Sequence, residues 1–220
     1  MEQIRKATFD FLSFLKSNNN RDWFHANQAE YKNAKSNFEA FVQALINEVI
    51  LFAPDLKGLE VKDCVFRINR DIRFTTDKSP YKTNFGAFLV KGGKKNGDKY
   101  AGYYFHIEPG GSMIAGGAYT PPSPWLNAIR EKISEETSEF VRIINDRNFV
   151  KYFGKIQGEK LKTAPKGYPS DHPYIEFLKM KSFLALNEVA DARVVEPGFF
   201  GHVVNAFRAM KPFNDFLSTF

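Results

Sequence analysis

The 220-residue sequence predicts an α+β fold, an antiparallel meander sheet of about four to five strands packed with N-terminal, middle and C-terminal helices. Three observations carry that expectation. A long early stretch repeats apolar residues at steps of three and four. The stretch from 61 to 118 alternates with period two between short turns. The remainder returns to helical spacing, punctuated by Pro and Gly.

Thr8 is placed to cap a first short helix with Phe9, Leu12 and Leu15 on one face. That helix runs out at the polar tract Ser17-Asn18-Asn19-Asn20. Trp23 and Phe24, just after the tract, read as an anchor between helices. Asn27, with Glu30 three positions on, resembles a capping-box start. Behind it Tyr31, Ala34, Phe38, Phe41, Leu45 and Val49 predict an amphipathic helix of about seven turns, stopped before Pro54.

The period then changes. Val65 to Asn69 reads as a first strand, with Phe66 and Ile68 on one face and Arg67 and Asn69 on the other. Phe85 to Val90, Tyr100 to Glu108 and Met113 to Ala118 read as further strands. A loose loop over 91–98 and the turn Pro109-Gly-Gly-Ser112 link them. Connections this short suit antiparallel neighbours, because a parallel crossover needs a dozen or more residues.

Ser123 followed by Pro124 starts a helix with Leu126, Ile129 and Ile133 inward. A second helix is expected over Ser138 to Asn145 and a short one near Phe149. Residues 154–171 read as loop, Pro173 as a helix start and Ser182 to Val189 as a strand. After Pro197-Gly198 a terminal helix carries Val203, Phe207 and Met210, broken before Pro212. No repeat, low-complexity tract or linker divides the chain. One domain over 1–220 is therefore expected, with a helical part at 8–53, the sheet at 61–118 and a helical and loop part at 123–220.

Phe is unusually frequent, with 23 copies against 2 Trp, and having no polar handle it reads as core. The one cysteine, Cys64, excludes an intramolecular disulfide and any multi-cysteine metal cage. No run approaches the roughly 18 apolar residues of a membrane helix, and the start lacks a signal-like apolar run. A cytoplasmic location is the expectation, with no membrane partner, no metal site and no cofactor.

The net charge is +6, and its distribution says more than its size. Residues 62–99 hold ten basic and four acidic side chains, which leaves 21 of each sign elsewhere. The whole imbalance sits in that one segment. A confined excess points to a site or a basic loop rather than to a diffuse polyanion-binding surface.

Its centre is the run from Arg67 to Lys82, in which Arg67, Arg70, Arg73, Lys78 and Lys82 alternate with Asp71 and Asp77. Arginine grips carboxylates and phosphates with a rigid fork, whereas lysine supplies a mobile point charge. Two or three Arg converging with a Lys would clamp an anion, with Asp71 and Asp77 orienting them or serving as general bases. The alternative is a structural network in which the two Asp pin Arg70, Arg73 and Lys78 around an irregular loop.

The run R-I-N-R-D-I-R-F-T-T-D-K-S-P-Y-K-T-N resembles the signature of the DUF2461 family of bacterial and fungal proteins. Further similarity lies in Asn19-Asn20-Arg21-Asp22-Trp23-Phe24, in Gly102-Tyr103-Tyr104 with His106 to Gly110, and in Leu161-Lys162 with Ala164 to Tyr168 and His172-Pro173. Position 22 holds Asp where the family pattern more often has Glu. The resemblance implies no particular activity, cofactor or catalytic residue. Its recurring motifs are polar and glycine-rich as well as apolar, which brings the site reading of 67–82 level with the structural one.

His106 and Glu108 lie two apart on a strand and share a face with Tyr104, which suits a proton relay or two half-exposed strand residues. Two such groups make no metal site without a third at a diagnostic spacing. His172 reads as a loop or cap residue and His202 as a satisfied helix residue. Cys64 lacks a nearby His that would activate it.

The leading functional expectation is binding of a small anionic molecule, a phosphate ester or carboxylate. Arg67, Arg70, Arg73, Lys78, Tyr81, Lys82 and Glu108 would line the site, and Lys162 and Lys166 would complete its rim. Hydrolysis or group transfer on that ligand would use Asp71, Asp77 or His106 as acid–base. Two alternatives stand beside it. One is nucleic-acid binding, from the pI near 9.2 and the lysine-rich tip at 91–95. The other is a non-catalytic module docking an acidic protein partner.

Overall fold

The structure is a computed structural model and describes residues 2–218. Helix α1 (Lys6–Ser17) buries Phe9, Phe11, Leu12 and Leu15. Thr8 does not cap it. Its hydroxyl is buried and donates to Asn37 Oδ1 at 2.7 Å, and that oxygen also accepts from the Arg5 amide at 2.9 Å. Helix α2 (Arg21–Ala26) emerges from the asparagine tract because the Asn20 side chain accepts from the Trp23 amide at 2.9 Å. Helix α3 (Gln28–Val49) follows, with Phe38, Phe41, Val42 and Leu45 inward. Asn27 precedes it but forms no cap, since its amide donates back to the Trp23 carbonyl at 2.8 Å. A 3-10 turn at Pro54–Leu56 and the short helix α4 (Val61–Cys64) lead to the charged segment.

The expected first strand is not a strand. Val65 bridges Ala87 and Asn69 bridges Tyr81, each in isolation. The segment divides its hydrogen bonds between two partners and builds a continuous ladder with neither. The four strands are β1 (Phe85–Leu89), β2 (Gly102–Ile107), β3 (Ser112–Ala118) and β4 (Phe183–Val189). They lie in the order β1-β2-β3-β4, all antiparallel, with Ala87 opposite Phe105 and Phe105 opposite Ile114.

Between β3 and β4 the chain makes α5 (Ser123–Glu135), α6 (Thr137–Ile144), α7 (Arg147–Phe153) and α8 (Ile175–Leu178); after β4 come α9 (Asp191–Val194) and α10 (Phe199–Ser218). The helix expected to break before Pro212 runs through it. An internal proline costs about 3 kcal/mol or more. Burying Phe213, Phe216 and Leu217 beyond it returns roughly 1.5–3 kcal/mol each, so packing wins.

One face of the sheet carries the core. Phe85, Leu89, Tyr103 and Phe105 are buried there. Phe38 of α3 meets Phe85 and Phe105 at ring separations of 5.5 and 5.8 Å, and Phe207 of α10 meets Tyr103 at 5.1 Å. A Cβ at Gly116 would stand 2.4 Å from the Gly102 carbonyl and 2.2 Å from Met210 Sδ, so β3 takes α10 at a distance only glycine allows. Most of the phenylalanine excess is core, as expected, with Phe14 and Phe74 exposed. Among the described residues, no helix is long and apolar enough to cross a membrane.

Candidate functional site

The segment from Arg67 to Lys82 leaves the β1 edge and returns to it through a closed base. The Phe66 amide donates to Gly86 O at 2.9 Å, Lys82 N to Ile68 O at 2.8 Å, and Arg70 N to Pro80 O at 3.0 Å. Asn19 seals the base from the helical side. Its amide donates to Tyr81 O at 2.9 Å and its oxygen accepts from Tyr81 N at 3.1 Å. The Tyr81 ring is buried and stacks on Phe24 at 3.9 Å.

An open hollow of about 370 Å³ lies between the end of α1 and this segment, lined by Lys16, Asn19, Arg70, Asp77, Lys82 and Asn84 among others. Arg70 Nη1 pairs with Asp77 Oδ2. The other oxygen of Asp77 accepts from the Ser79 hydroxyl at 2.6 Å and the Ser79 amide at 2.9 Å. The Ser79 hydroxyl, then the Arg70 guanidinium, hold this carboxyl well below the usual carboxylate range. It is an orienting anion and a poor proton acceptor.

Lys82 is half-buried, with its ammonium 5.3 Å from the centre of the Phe66 ring. Burial lowers its pKa, and the Arg67 charge lowers it further. No carboxylate lies within ion-pair distance of Lys82 or Arg67 among the described residues. Arg67 is exposed and also helps to hold Asp71 ionised. Lys16 donates to the Pro109 carbonyl at 2.9 Å. Glu108 accepts from the Thr83 hydroxyl, so it braces the turn after β2.

The remaining charges of the segment turn away. Arg73 forks onto Asp71 at 2.9 and 2.6 Å, lowering the Asp71 carboxyl. Beside them the Phe74 ring is 94 % exposed. Lys78 donates to the Ile72 carbonyl at 2.9 Å within the loop. The converging clamp of three Arg is thus not what forms. Arg73 and Lys78 are consumed by the loop itself, while Arg70 and Lys82 face the hollow.

Tyr104 and His106 share a face of β2, as their spacing requires. His106 is buried, with Nε2 at 2.5 Å from Gly111 O and Nδ1 at 2.9 Å from the Tyr104 hydroxyl. A carbonyl only accepts, so Nε2 carries the proton and the tyrosine donates to Nδ1. Burial pushes the Tyr104 hydroxyl up to about 12. Both ring nitrogens of His106 are occupied, which leaves it no position for a proton relay to a ligand.

Lys162 and Lys166 are exposed and follow the bridge between Lys160 and Met180, just before β4. That is the opposite edge of the sheet from the 67–82 segment, so they do not complete its rim. No cluster of three or more potential metal ligands occurs among the described residues. Lys16, Asn19 and Asn84 were not anticipated. The asparagine tract before α2 was the signal for Asn19 and reads equally well as a helix end; Asn84 closes the 67–84 run, and Lys16 had no signal.

A family model described as "Conserved hypothetical protein (DUF2461)" matches residues 7–216. No curated protein and no solved structure matches the chain.

Proposed function

The chain belongs to the DUF2461 family of conserved hypothetical proteins, and on that footing we propose that it binds a small anion, a phosphate ester or carboxylate, in the hollow beside Arg70 and Lys82. The observation that carries this reading is Lys82. A half-buried ammonium stands near a second cation, Arg67, with no carboxylate in reach among the described residues. Desolvating a cation without a partner is costly, and an oxyanion entering the hollow would remove that cost. Arg70 supports the same reading. Asp77 occupies Nη1 alone, so Nε and Nη2 remain as donors in an orientation the ion pair fixes. The amides of Asn19 and Asn84 add neutral polar groups to the wall.

The role assigned to Asp77 is orientation, because its carboxyl stays charged far below neutral pH. Asp71 does the same for Arg73 outside the hollow. The reading is therefore one of binding, with no acid–base step attached.

Thermal-shift titration with inorganic phosphate, phosphate monoesters and di- and tricarboxylates tests it. A ligand at 100 times its Kd stabilises by about 2.7 kcal/mol, a readily measured rise in Tm. Lys82→Met should weaken the responding anion by about tenfold or more, since a charge-assisted contact contributes roughly 1.5–3 kcal/mol. Indifference of the wild-type chain to every anion at millimolar concentration would remove the proposal.

A further inference from the structure

A second basic hollow lies on the far side of the sheet core, where α7, α9 and the first turns of α10 meet the β4 strand. Its volume is about 430 Å³, and Lys151, Tyr152, Asn187, Arg193, His202 and Asn205 line it, with no carboxylate among the lining residues. The size falls in the roughly 300–1,000 Å³ range of small-molecule sites. It adjoins a hollow of about 480 Å³ that shares Lys151, Tyr152 and Asn205 and adds Arg208 and Asp146.

Three features of this place point to a ligand. First, the His202 ring is half-buried, 5.4 Å from the Tyr152 ring and 6.3 Å from the Phe199 ring. Neither of its nitrogens has a hydrogen-bond partner among the described residues, so it is not the satisfied helix residue that the sequence suggests. Second, the nearby acids are already engaged. Glu196 pairs with Arg193 at 2.7 Å, Asp191 accepts from the Gly110 amide at 2.9 and 3.0 Å, and Asp146 caps α7 through the Asn148 amide at 2.8 Å. Third, the floor is open. A Cβ built on Gly201 meets nothing within 4 Å.

We propose that this hollow is a second binding site, for a small phosphate monoester carrying a flat ring. Lys151, whose ammonium lies 5.4 Å from the centre of the Tyr152 ring, would take the phosphate with Arg193 and His202. Asn205 would fix its orientation, Asn187 holds the Tyr152 backbone carbonyl at 2.5 Å, and the Tyr152 ring would border the flat group. A monoester near neutral pH carries between one and two negative charges and three acceptor oxygens, to meet the Lys151 ammonium, the Arg193 donors that Glu196 leaves free and the titratable His202. The groups facing His202 are Lys151 and Tyr152 from α7, Arg193 with its partner Glu196 from the α9 region, and the uncharged Asn187 from β4. Burial, then Arg193, then Lys151 lower the pKa of His202 and favour its neutral imidazole. A bound dianion reverses that balance and raises the His202 midpoint, so binding tightens as pH falls from above that raised midpoint, until the phosphate takes up its own proton at about pH 6.

The test is a pH titration of the histidine Cε1–H signals by NMR, with and without inorganic phosphate and phenyl phosphate. His202 is assigned by its loss in His202→Gln, and His25, His106 and His172 serve as internal references. Both anions should raise the His202 midpoint, with phenyl phosphate binding the tighter. Lys151→Met should weaken phenyl phosphate by about tenfold or more. Gly201→Leu should abolish binding while circular dichroism stays native. A His202 midpoint unmoved by millimolar phosphate overturns the proposal, as does a shift that persists unchanged in both variants. Loss of the shift in Lys82→Met but not in Lys151→Met would put the anion in the first hollow and would overturn it too.

Discussion

Asn19 stands in for a strand. Its side chain gives and takes one hydrogen bond with the Tyr81 backbone, 62 positions away, as a neighbouring strand residue would. Arg70 and Arg73 show how little composition says about a charge. Three positions apart in one loop, the first points a held guanidinium into a hollow and the second closes on the nearest aspartate. Cys64 makes a sharper prediction. Burial and the neighbouring Asp63 push its thiol up to about 12, so the reactive thiolate is scarce at neutral pH. A small alkylating reagent should modify Cys64 only as fast as the protein opens, and denaturant should accelerate labelling steeply. Rapid labelling of the native protein would contradict the packing described.

At the level of elements, Pro212 gives the clearest prediction. The residue is exposed while its neighbours Phe213 and Asn214 are buried, so its cost falls on the α10 backbone alone. Pro212→Ala should raise stability by about 1–3 kcal/mol, less whatever the proline saves by stiffening the unfolded chain; denaturant melts followed by circular dichroism measure it. That helix also marks where sequence reading stops. Sequence pattern placed a strand at Phe85 to Val90, and periodicity sorted Phe38, Phe41 and Leu45 to one face of α3, because both patterns are local. Continuation past Pro212 is decided by partners on α6 and α7, such as Phe140 and Phe149, whose rings lie 6.5 and 5.3 Å from Phe213. The segment at 65–69 misled for the same reason. Its residues suit a strand, but its hydrogen bonds are split between β1 and the returning chain at 80–82. The first hollow was half legible, through Arg70, Asp77 and Lys82. The second was not, since Lys151, Arg193 and His202 come from separate segments that only the folded helices bring together.

For the molecule as a whole, residues 62–99 carry the full +6 excess while the rest is balanced. The excess is therefore confined to one stretch of the chain, and its field decays over roughly 8 Å at physiological ionic strength. Much of that excess hangs on the 67–82 excursion, which contributes little to the core apart from Ile68 and Tyr81. Its neck is sewn shut by Lys82 to Ile68, Arg70 to Pro80 and Asn19 to Tyr81. A tryptic nick after Arg73, beside the 94 % exposed Phe74, should therefore yield two bands on a denaturing gel and a single native-sized particle in solution. The scaffold would survive as a two-piece protein, and the tip beyond the neck is free to be shortened, lengthened or exchanged without re-registering the sheet.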